Sequence, residues 1–585
     1  MSQNKKIKRQ TVQPPTRPVK KLPAQPSSIS KNFPFIILGV ALLFTMYCRM
    51  RLLGVPMERD EGEYAYVGQQ LLQGVPPFVS IYHVKLPGIY AAFAVIETIF
   101  GQTHKGIHLG LMFVNMLSAI LVFLIGKRIF NPLSGALAAA VFCVLSLSQK
   151  FFGFSANAEQ FVVFPALLGF LFLLRAFSPP ENRPAEKWKQ VFAMPILNFF
   201  LSGLLFGIAY TMKQHALFFI AFAGIYFLYK WFMQKPFNWK DLFLNGFVFS
   251  VGVGLPLGII CLIFLHLGLF DKFWWWTWYY PRQYVALISW ADGKVYLGYT
   301  FTPIWNIAWL LFLLAGGGVI GLVVGRNWNK ALFGIGFFVF AALAVSAGFS
   351  FYPHYFIYIT PAIGFLCASG AEFISVLFKK SNISFLKNYA GAAVLLLFLC
   401  SAISNEKEYL FKMDGTMVDR TVYGGNPFPE ALEIGKYIEQ HTSPGDTIAV
   451  LGSEPEIPFY AHRRNATGYV YTYEMIADHP YAHGFQVEMS KEVEAAKPKY
   501  VVMINISASW IARRVDKPDY YIFDWAQKFI QTHYEQVGIV DIGNRLNALY
   551  CWEDMPSPAK KCIPPVKPGQ AAFDPVWIAV YKRKD

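Results

Sequence analysis

Residues 57–74, "MERDEGEYAYVGQQLLQG", gather four carboxylates, Glu58, Asp60, Glu61 and Glu63, directly after a strongly apolar segment. Further along, residue types that can answer such a cluster recur in short polar stretches. "IYHVKLPGIY" supplies Tyr82, His83 and Lys85, and "GIAYTMKQHALFF" sets Lys213, with His215 nearby, between two apolar runs. "WYYPRQY" adds Arg282, and "SFYPHYFIYITP" adds His354 and Tyr355. Cations with a few carboxylates suit transfer of a group from a lipid-linked phosphate. The cations stabilise phosphate charge as the leaving-group bond breaks, and a carboxylate takes the proton of the attacking hydroxyl. Plainer readings stand beside this one. Asp60 followed by Glu63 resembles a capping box on a short amphipathic surface helix with Tyr64, Val67 and Leu71 on one face. Each cation alone reads as an interfacial anchor or a snorkelling side chain. A cap accounts for one or two carboxylates beside the membrane, not for four.

These residues must be positioned by a membrane protein. The chain has 585 residues, 55% hydrophobic and only 15% charged, which is too apolar for a soluble protein of that length. Repeated apolar stretches of about 17–25 residues fit helices that cross the hydrocarbon core, roughly eleven in all. The formal charge of +16 is uneven: residues 406–585 hold 20 Lys and Arg against 24 Asp and Glu, and residues 1–405 hold 32 against 12. That basic excess sits in short loops between apolar segments, so it signals topology and not nucleic-acid binding. The sets at 126–131, 175–189, 229–241, 325–330 and 378–387 are expected to face the cytoplasm. The first loop, about 54–106, and the turns at 151–159, 213–214, 269–300 and 349–354 are then expected outside. "LPGIYAAFAVIETIFG" (86–101) is short, carries Glu97, and would break the alternation if it crossed; it is expected as an outer-face or re-entrant helix.

Residues 1–31 read as a disordered basic cytoplasmic tail and 32–405 as the transmembrane domain. Residues 406–585 alternate helix and strand patterns, which predicts a small extracytoplasmic α/β domain without a glycine-rich phosphate loop. Strands are expected in "GDTIAVLG", "PKYVVMINI", "EQVGIVDIG" and "PVWIAVYK". Cys551 and Cys562 lie in this domain, and a disulfide between them is plausible outside the cytoplasm. No zinc-ligand spacing occurs. The run "FWWWTWYYPRQY" (273–284) reads as an interfacial belt, with sugar stacking as the functional alternative.

The ordered motifs resemble those of GT-C class polyprenyl-phosphate-dependent glycosyltransferases, the group of protein O-mannosyltransferases and lipid A aminoarabinose transferases. "RDEGEYAY" is similar to their first-loop Asp-Glu-x-x-Tyr motif, and "YHVKLPGIY" to the following Tyr-x-x-Lys-Pro-Pro-like motif. "GIAYTMKQHAL" is similar to the Lys-Gly segment, with Gln214 in place of glycine, and "HYFIYITPAIG" to the late Tyr…Pro stretch. The resemblance implies a GT-C-like fold over about 33–405, with Asp60 as catalytic carboxylate and Glu61 as its neighbour. It places Lys85 near the donor phosphate, Glu159 as a second outer-loop acid, and Lys213 in a later loop. Tyr82, Arg282, His354 and Tyr355 complete the expected substrate site.

The implied activity is inverting transfer of a sugar from an undecaprenyl-phosphate donor to an envelope acceptor (lipid, glycan or protein) at the outer face of the cytoplasmic membrane. No protein ligand set for a metal is expected, although a divalent ion is compatible with such chemistry. The competing readings are a diphosphate-donor glycan polymerase or ligase, and a transporter or flippase of lipid-linked sugars. A transporter would favour polar residues at mid-membrane and paired repeats. All matched motifs precede residue 406, so donor binding is expected to be complete without the carboxyl-terminal domain.

Overall fold

The computed structural model describes residues 28–177, 194–285, 288–477, 479–510, 519–543, 548–553 and 576–584. Most of the basic tail, most of the 175–189 loop, and Cys562 lie outside the described residues. Among the described residues, nine helices are long and apolar enough to cross a bilayer, including His104–Ile129, Ala158–Ala176, Pro195–Met212, Gln214–Phe232 and Pro353–Leu377. Two shorter apolar helices, Pro132–Leu147 and Tyr389–Asn405, pack into the same core. Local sequence starts these helices. Asn131 accepts from the Ser134 N–H at 2.9 Å with Pro132 in the first turn, and Thr103 accepts from the Gly106 N–H at 3.1 Å. Deep in the bundle Phe170 meets Phe206, Phe222, Phe333 and Phe337 at centroid distances of 4.9 to 5.8 Å. Aromatic contacts at that range add to the packing that drives helix association in lipid.

The carboxyl-terminal domain is built on a six-stranded sheet. Its strands are β1 (Thr447–Leu451), β2 (Arg464–Asn465), β3 (Tyr500–Asn505), β4 (Tyr534–Asp541), β5 (Leu549–Trp552) and β6 (Trp577–Arg583). The order is β2-β1-β3-β6-β4-β5, with β1 parallel to both neighbours and the other pairs antiparallel. In register, Val450 lies opposite Val502, and Val502 opposite Val580. All four expected strands are present; the two-residue β2 and the short β5 were not legible. β1 and β3 read as continuous apolar runs because both faces are covered. Ile448 and Val450 join Ile434 and Ile438 of helix Phe428–Gln440, while Ala449 and Leu451 join Phe485, Met489 and Ile522 on the opposite face. Cys551 is disulfide-bonded, whereas Cys48, Cys143, Cys261, Cys367 and Cys400 are free.

The first loop lies between bundle and sheet. Its helices Arg59–Leu72 and Pro87–Phe100 share one core with the sheet: Tyr64, Tyr66, Ile89 and Phe93 pack in the cluster that holds Val450, Tyr500 and Val580. Residues 61–70 are all buried, so the expectation of an amphipathic surface helix is corrected. A Cβ on Gly62 would meet the backbone N and Cβ of Glu456 at 2.8 Å, so glycine there lets the sheet domain approach. The aromatic run also turns inward in part. Phe273, Trp276 and Tyr280 are buried with Tyr469 and Phe485 of the sheet domain, while Trp274 and Tyr279 remain exposed. Much of this run therefore docks a domain instead of forming a lipid belt.

Candidate active site

The four carboxylates of the first loop take four separate partners. Glu58 is the N-cap of helix Arg59–Leu72. Its carboxylate accepts from the backbone N–H groups of Asp60 at 3.0 Å and Glu61 at 3.2 Å, and Glu61 reaches back to the Glu58 N–H at 3.3 Å. The capping box is thus Glu58 with Glu61, one correction to the expected Asp60 with Glu63. Glu61 also accepts from His108 Nε2 at 2.9 Å and from the Ala156 N–H, and it is fully buried. The His108 and Ala156 bonds both fall on Oε1 and hold the loop to the bundle, while Oε2 takes the Glu58 N–H. Glu63 accepts from His83 Nδ1 at 2.9 Å and from the Tyr90 hydroxyl. His83 also stacks on Tyr471 at 4.6 Å.

Asp60 stays partly exposed at its side chain, with a polar partner on each carboxylate oxygen. Its Oδ2 accepts from Lys85 Nζ at 3.2 Å and its Oδ1 from the Tyr471 hydroxyl at 3.0 Å. Lys85 also donates to the Tyr64 hydroxyl at 2.9 Å. Burial by itself would raise the Asp60 pKa, but Lys85 and then His354, Lys213 and His83 hold it below the usual carboxylate range. Glu58 goes the other way: burial, with the negative charges of Asp60 and Glu61, pushes its carboxyl well above that range. One helix turn thus carries two acids that their surroundings push in opposite directions.

Lys85 is fixed from below. Pro87 opens the helix after it, and a Cβ on Gly88 would meet the Thr211 backbone within 2.7 Å, so the "LPG" sequence brings this loop against the end of helix Pro195–Met212. Gln214, which stands where the resemblance expects glycine, donates to the Val84 carbonyl at 3.2 Å. It clamps the strand of chain that presents Lys85.

A second pair adjoins the first. Lys213, at the junction of two spanning helices, donates to Glu159 at the start of Ala158–Ala176, and Lys213 lies 4.2 Å over the Tyr355 ring. His354 Nε2 is 3.9 Å from Glu159. His215 packs beside Tyr355 at 5.0 Å and Tyr358 at 6.0 Å. Both His215 nitrogens, His354 Nδ1, the second Glu159 oxygen and the Tyr358 hydroxyl are buried without a hydrogen-bond partner among the described residues. That is unused donor and acceptor capacity around Lys213, next to Asp60 and Lys85.

Two expected residues lie elsewhere. The Tyr82 hydroxyl donates to Glu492 at 2.8 Å and its ring sits under Lys272 at 4.6 Å, tying the loop to the sheet domain. Arg282 is exposed on helix Tyr280–Val285 and makes none of the contacts that join Asp60, Lys85, Glu159 and Lys213. Tyr471, missed in the sequence, comes from beyond residue 406, so the polar contacts of Asp60 are not complete within 32–405. Arg59 marks the same joint: it is buried on Glu454 at 2.7 Å, the Ser453 carbonyl at 2.7 Å and Asn426 at 2.6 Å. No local sequence signal reaches across that separation. Among the described residues, no group of three or more His, Cys, Asp and Glu side chains is placed to hold a metal ion.

The architecture has solved counterparts. ArnT from Cupriavidus metallidurans in the apo state superposes with a TM-score of 0.51 at 15% identity, covering 82% of this chain and 94% of that one. The Archaeoglobus fulgidus oligosaccharyltransferase tethered with an acceptor peptide aligns over 90% of this chain and 74% of that one, at 12% identity and a TM-score of 0.49. Arabinofuranosyltransferase AftD from Mycobacteria aligns over 95% of this chain and 40% of that one, at 11% identity and a TM-score of 0.46. No family sequence model and no curated protein matches. The likeness to ArnT shows a shared, GT-C-like fold: a helical membrane bundle carrying a small sheet domain.

Proposed function

We propose that this chain is a polyprenyl-phosphate-dependent glycosyltransferase that moves a sugar from an undecaprenyl-phosphate donor to an envelope acceptor by inverting displacement. The observation that carries this reading is Asp60, held between Lys85 and Tyr471 and 22% exposed at its side chain, beside the Glu159–Lys213 pair. The acceptor hydroxyl attacks the anomeric carbon, the carbon–oxygen bond to phosphate breaks, and the hydroxyl proton passes to Asp60. The departing lipid phosphate takes the electron pair, and Lys85 and Lys213 meet its growing charge. Paired with Lys85, Asp60 is a weak base. As Lys85 turns to the phosphate it leaves Asp60, and the carboxylate gains basicity when a proton must be taken. The single displacement with one base implies inversion. No step is routed through a metal.

ArnT, with which the fold is shared, has also been solved bound to undecaprenyl phosphate, which is the donor lipid proposed here. Donor sugar and acceptor are then matters of the residues around Lys213 and of the sheet domain, which reaches Asp60 through Tyr471. The test is to incubate the purified chain with radiolabelled undecaprenyl-phosphate sugars and a cell-envelope extract. Label should pass to an extractable acceptor. Turnover of diphosphate-linked donors alone would overturn the proposed donor class, and label crossing the membrane without transfer would replace the enzyme by a transporter.

A further inference from the structure

At the far end of the helices that carry the candidate active site lies a cavity of about 260 Å³, lined by Leu124, Lys127, Arg128, Leu171 and Arg175. Glu159 and Arg175 sit near opposite ends of the same 19-residue helix, which places the two regions about 24 Å apart at 1.5 Å rise per residue. Lys127 and Arg128 occupy the last turn of His104–Ile129 and Arg175 the last turn of Ala158–Ala176. Lys230, in the last turn of the helix that begins beyond Lys213, lies within electrostatic reach of Arg128.

Helix C-termini attract cations, and so do loops on one side of a membrane. Neither tendency requires three cationic residues to line one cavity. Among the described residues none of the three lining cations pairs with a carboxylate. Lys127 lies 5.9 Å over the Phe35 ring and Arg175 5.4 Å over the Phe172 ring. Lys330 takes the ordinary course instead and pairs with Glu372 at 3.5 Å. The repulsion between Arg128 and Arg175 is relieved by an anion beside them, and their guanidinium groups favour phosphate. Leu124 and Leu171 offer apolar wall to what is attached to that phosphate. Because the cavity opens at the ends of membrane-spanning helices, the ligand chemistry is that of a lipid.

We propose that this cavity binds the phosphate headgroup of an anionic membrane phospholipid, independently of the transfer site. Each basic residue near such a surface contributes about 1 kcal/mol, so loss of two should weaken binding about thirty-fold. Delipidated full-length protein is titrated with phosphatidylglycerol, with phosphatidylcholine of the same chains, and with inorganic phosphate, and binding is followed by native mass spectrometry. Wild type should prefer phosphatidylglycerol, R128Q/R175Q should lose about thirty-fold, and K379Q/K380Q, which removes charge from exposed residues outside the cavity, should lose nothing. L124W, which fills the cavity and keeps every charge, should also weaken binding and serves if the double variant does not fold. Equal affinity for both lipids, an equal loss in K379Q/K380Q, or full affinity in L124W would overturn the proposal. Inorganic phosphate binding as tightly as the lipid would overturn the lipid assignment.

Discussion

Two carboxylate–lysine pairs stand side by side, and they are built differently. The Asp60 side chain is 22% exposed and that of Lys85 12%, and a tyrosine from another domain shares the carboxylate. The Glu159 side chain is 1% exposed and that of Lys213 7%, and the pair is enclosed by His354 and Tyr355. An open pair can exchange partners when a ligand arrives, because water and ligand can replace what is lost. A sealed pair cannot do so cheaply, since either partner left alone is a bare charge in low dielectric. The open pair is therefore suited to proton transfer, and the sealed pair to holding charge and shape beside it.

The largest expected effect tests the open pair. Asp60→Asn should cut turnover by about 10²–10⁴, the usual worth of a general base, with the thermal midpoint in detergent almost unmoved because Glu58 supplies the cap. Near-normal turnover, or a protein that simply melts, would erase the distinction between the pairs. The reverse outcome is expected for Glu159→Gln. It leaves Lys213 buried without its counter-charge and should destabilise the fold by about 3 kcal/mol, measured by chemical or thermal unfolding. An unchanged unfolding transition would show that the sealed pair carries no stability.

Tyr471→Phe sharpens the comparison. Loss of one hydrogen bond to a charged group, about 1.5 kcal/mol, should lower turnover about ten-fold. It should also move the acid limb of kcat/KM to higher pH, because the ionised form of Asp60 loses a donor that favours it. A limb that stays in place would mean the tyrosine only packs.

The smallest effect concerns the buried His83–Glu63 pair behind Asp60. Burial would lower the His83 pKa, but Glu63 outweighs it and holds the imidazole above its ordinary value. A raised folded-state pKa gives stability that is full below the unfolded value, about pH 6.5, and is lost as pH rises through the folded value. Thermal midpoints recorded from pH 6 to 9 should fall more steeply in wild type than in His83→Asn. Parallel curves would show that His83 does not titrate in that window.

The sequence led to the bundle because runs of apolar residues long enough to cross a bilayer have few other uses. It led to the sheet because β1 and β3 are short β-branched runs between turns. It led to Asp60, Lys85, Glu159 and Lys213 through ordered motifs. What it misplaced were choices made by tertiary contact. In "ERDEGE" both Glu58 with Glu61 and Asp60 with Glu63 have the spacing of a capping box, and neighbours far along the chain decide between them: Gly62 against Glu456, and Arg59 against Glu454. The helix patterns as amphipathic, yet its polar face is covered too, by His108, His83 and Lys85. Tyr471 was invisible because it lies 411 residues from its partner, and periodicity carries no information over that distance.

That span has a consequence for how the protein is made. The first loop emerges well before the surface that covers it, which runs from Ala431 to Val580. At about 5–20 residues per second, the loop waits on the order of 20–80 s before Tyr471 can reach Asp60. Through that interval Tyr64, Tyr66 and Phe93 lack the apolar cover that buries them in the finished fold, which leaves a nascent chain open to chaperones and proteases. A chain stopped after the last membrane helix never closes the loop. The sheet domain therefore acts as a completion check: the site around Asp60 takes its final form only in molecules whose synthesis has run to the end of the sheet.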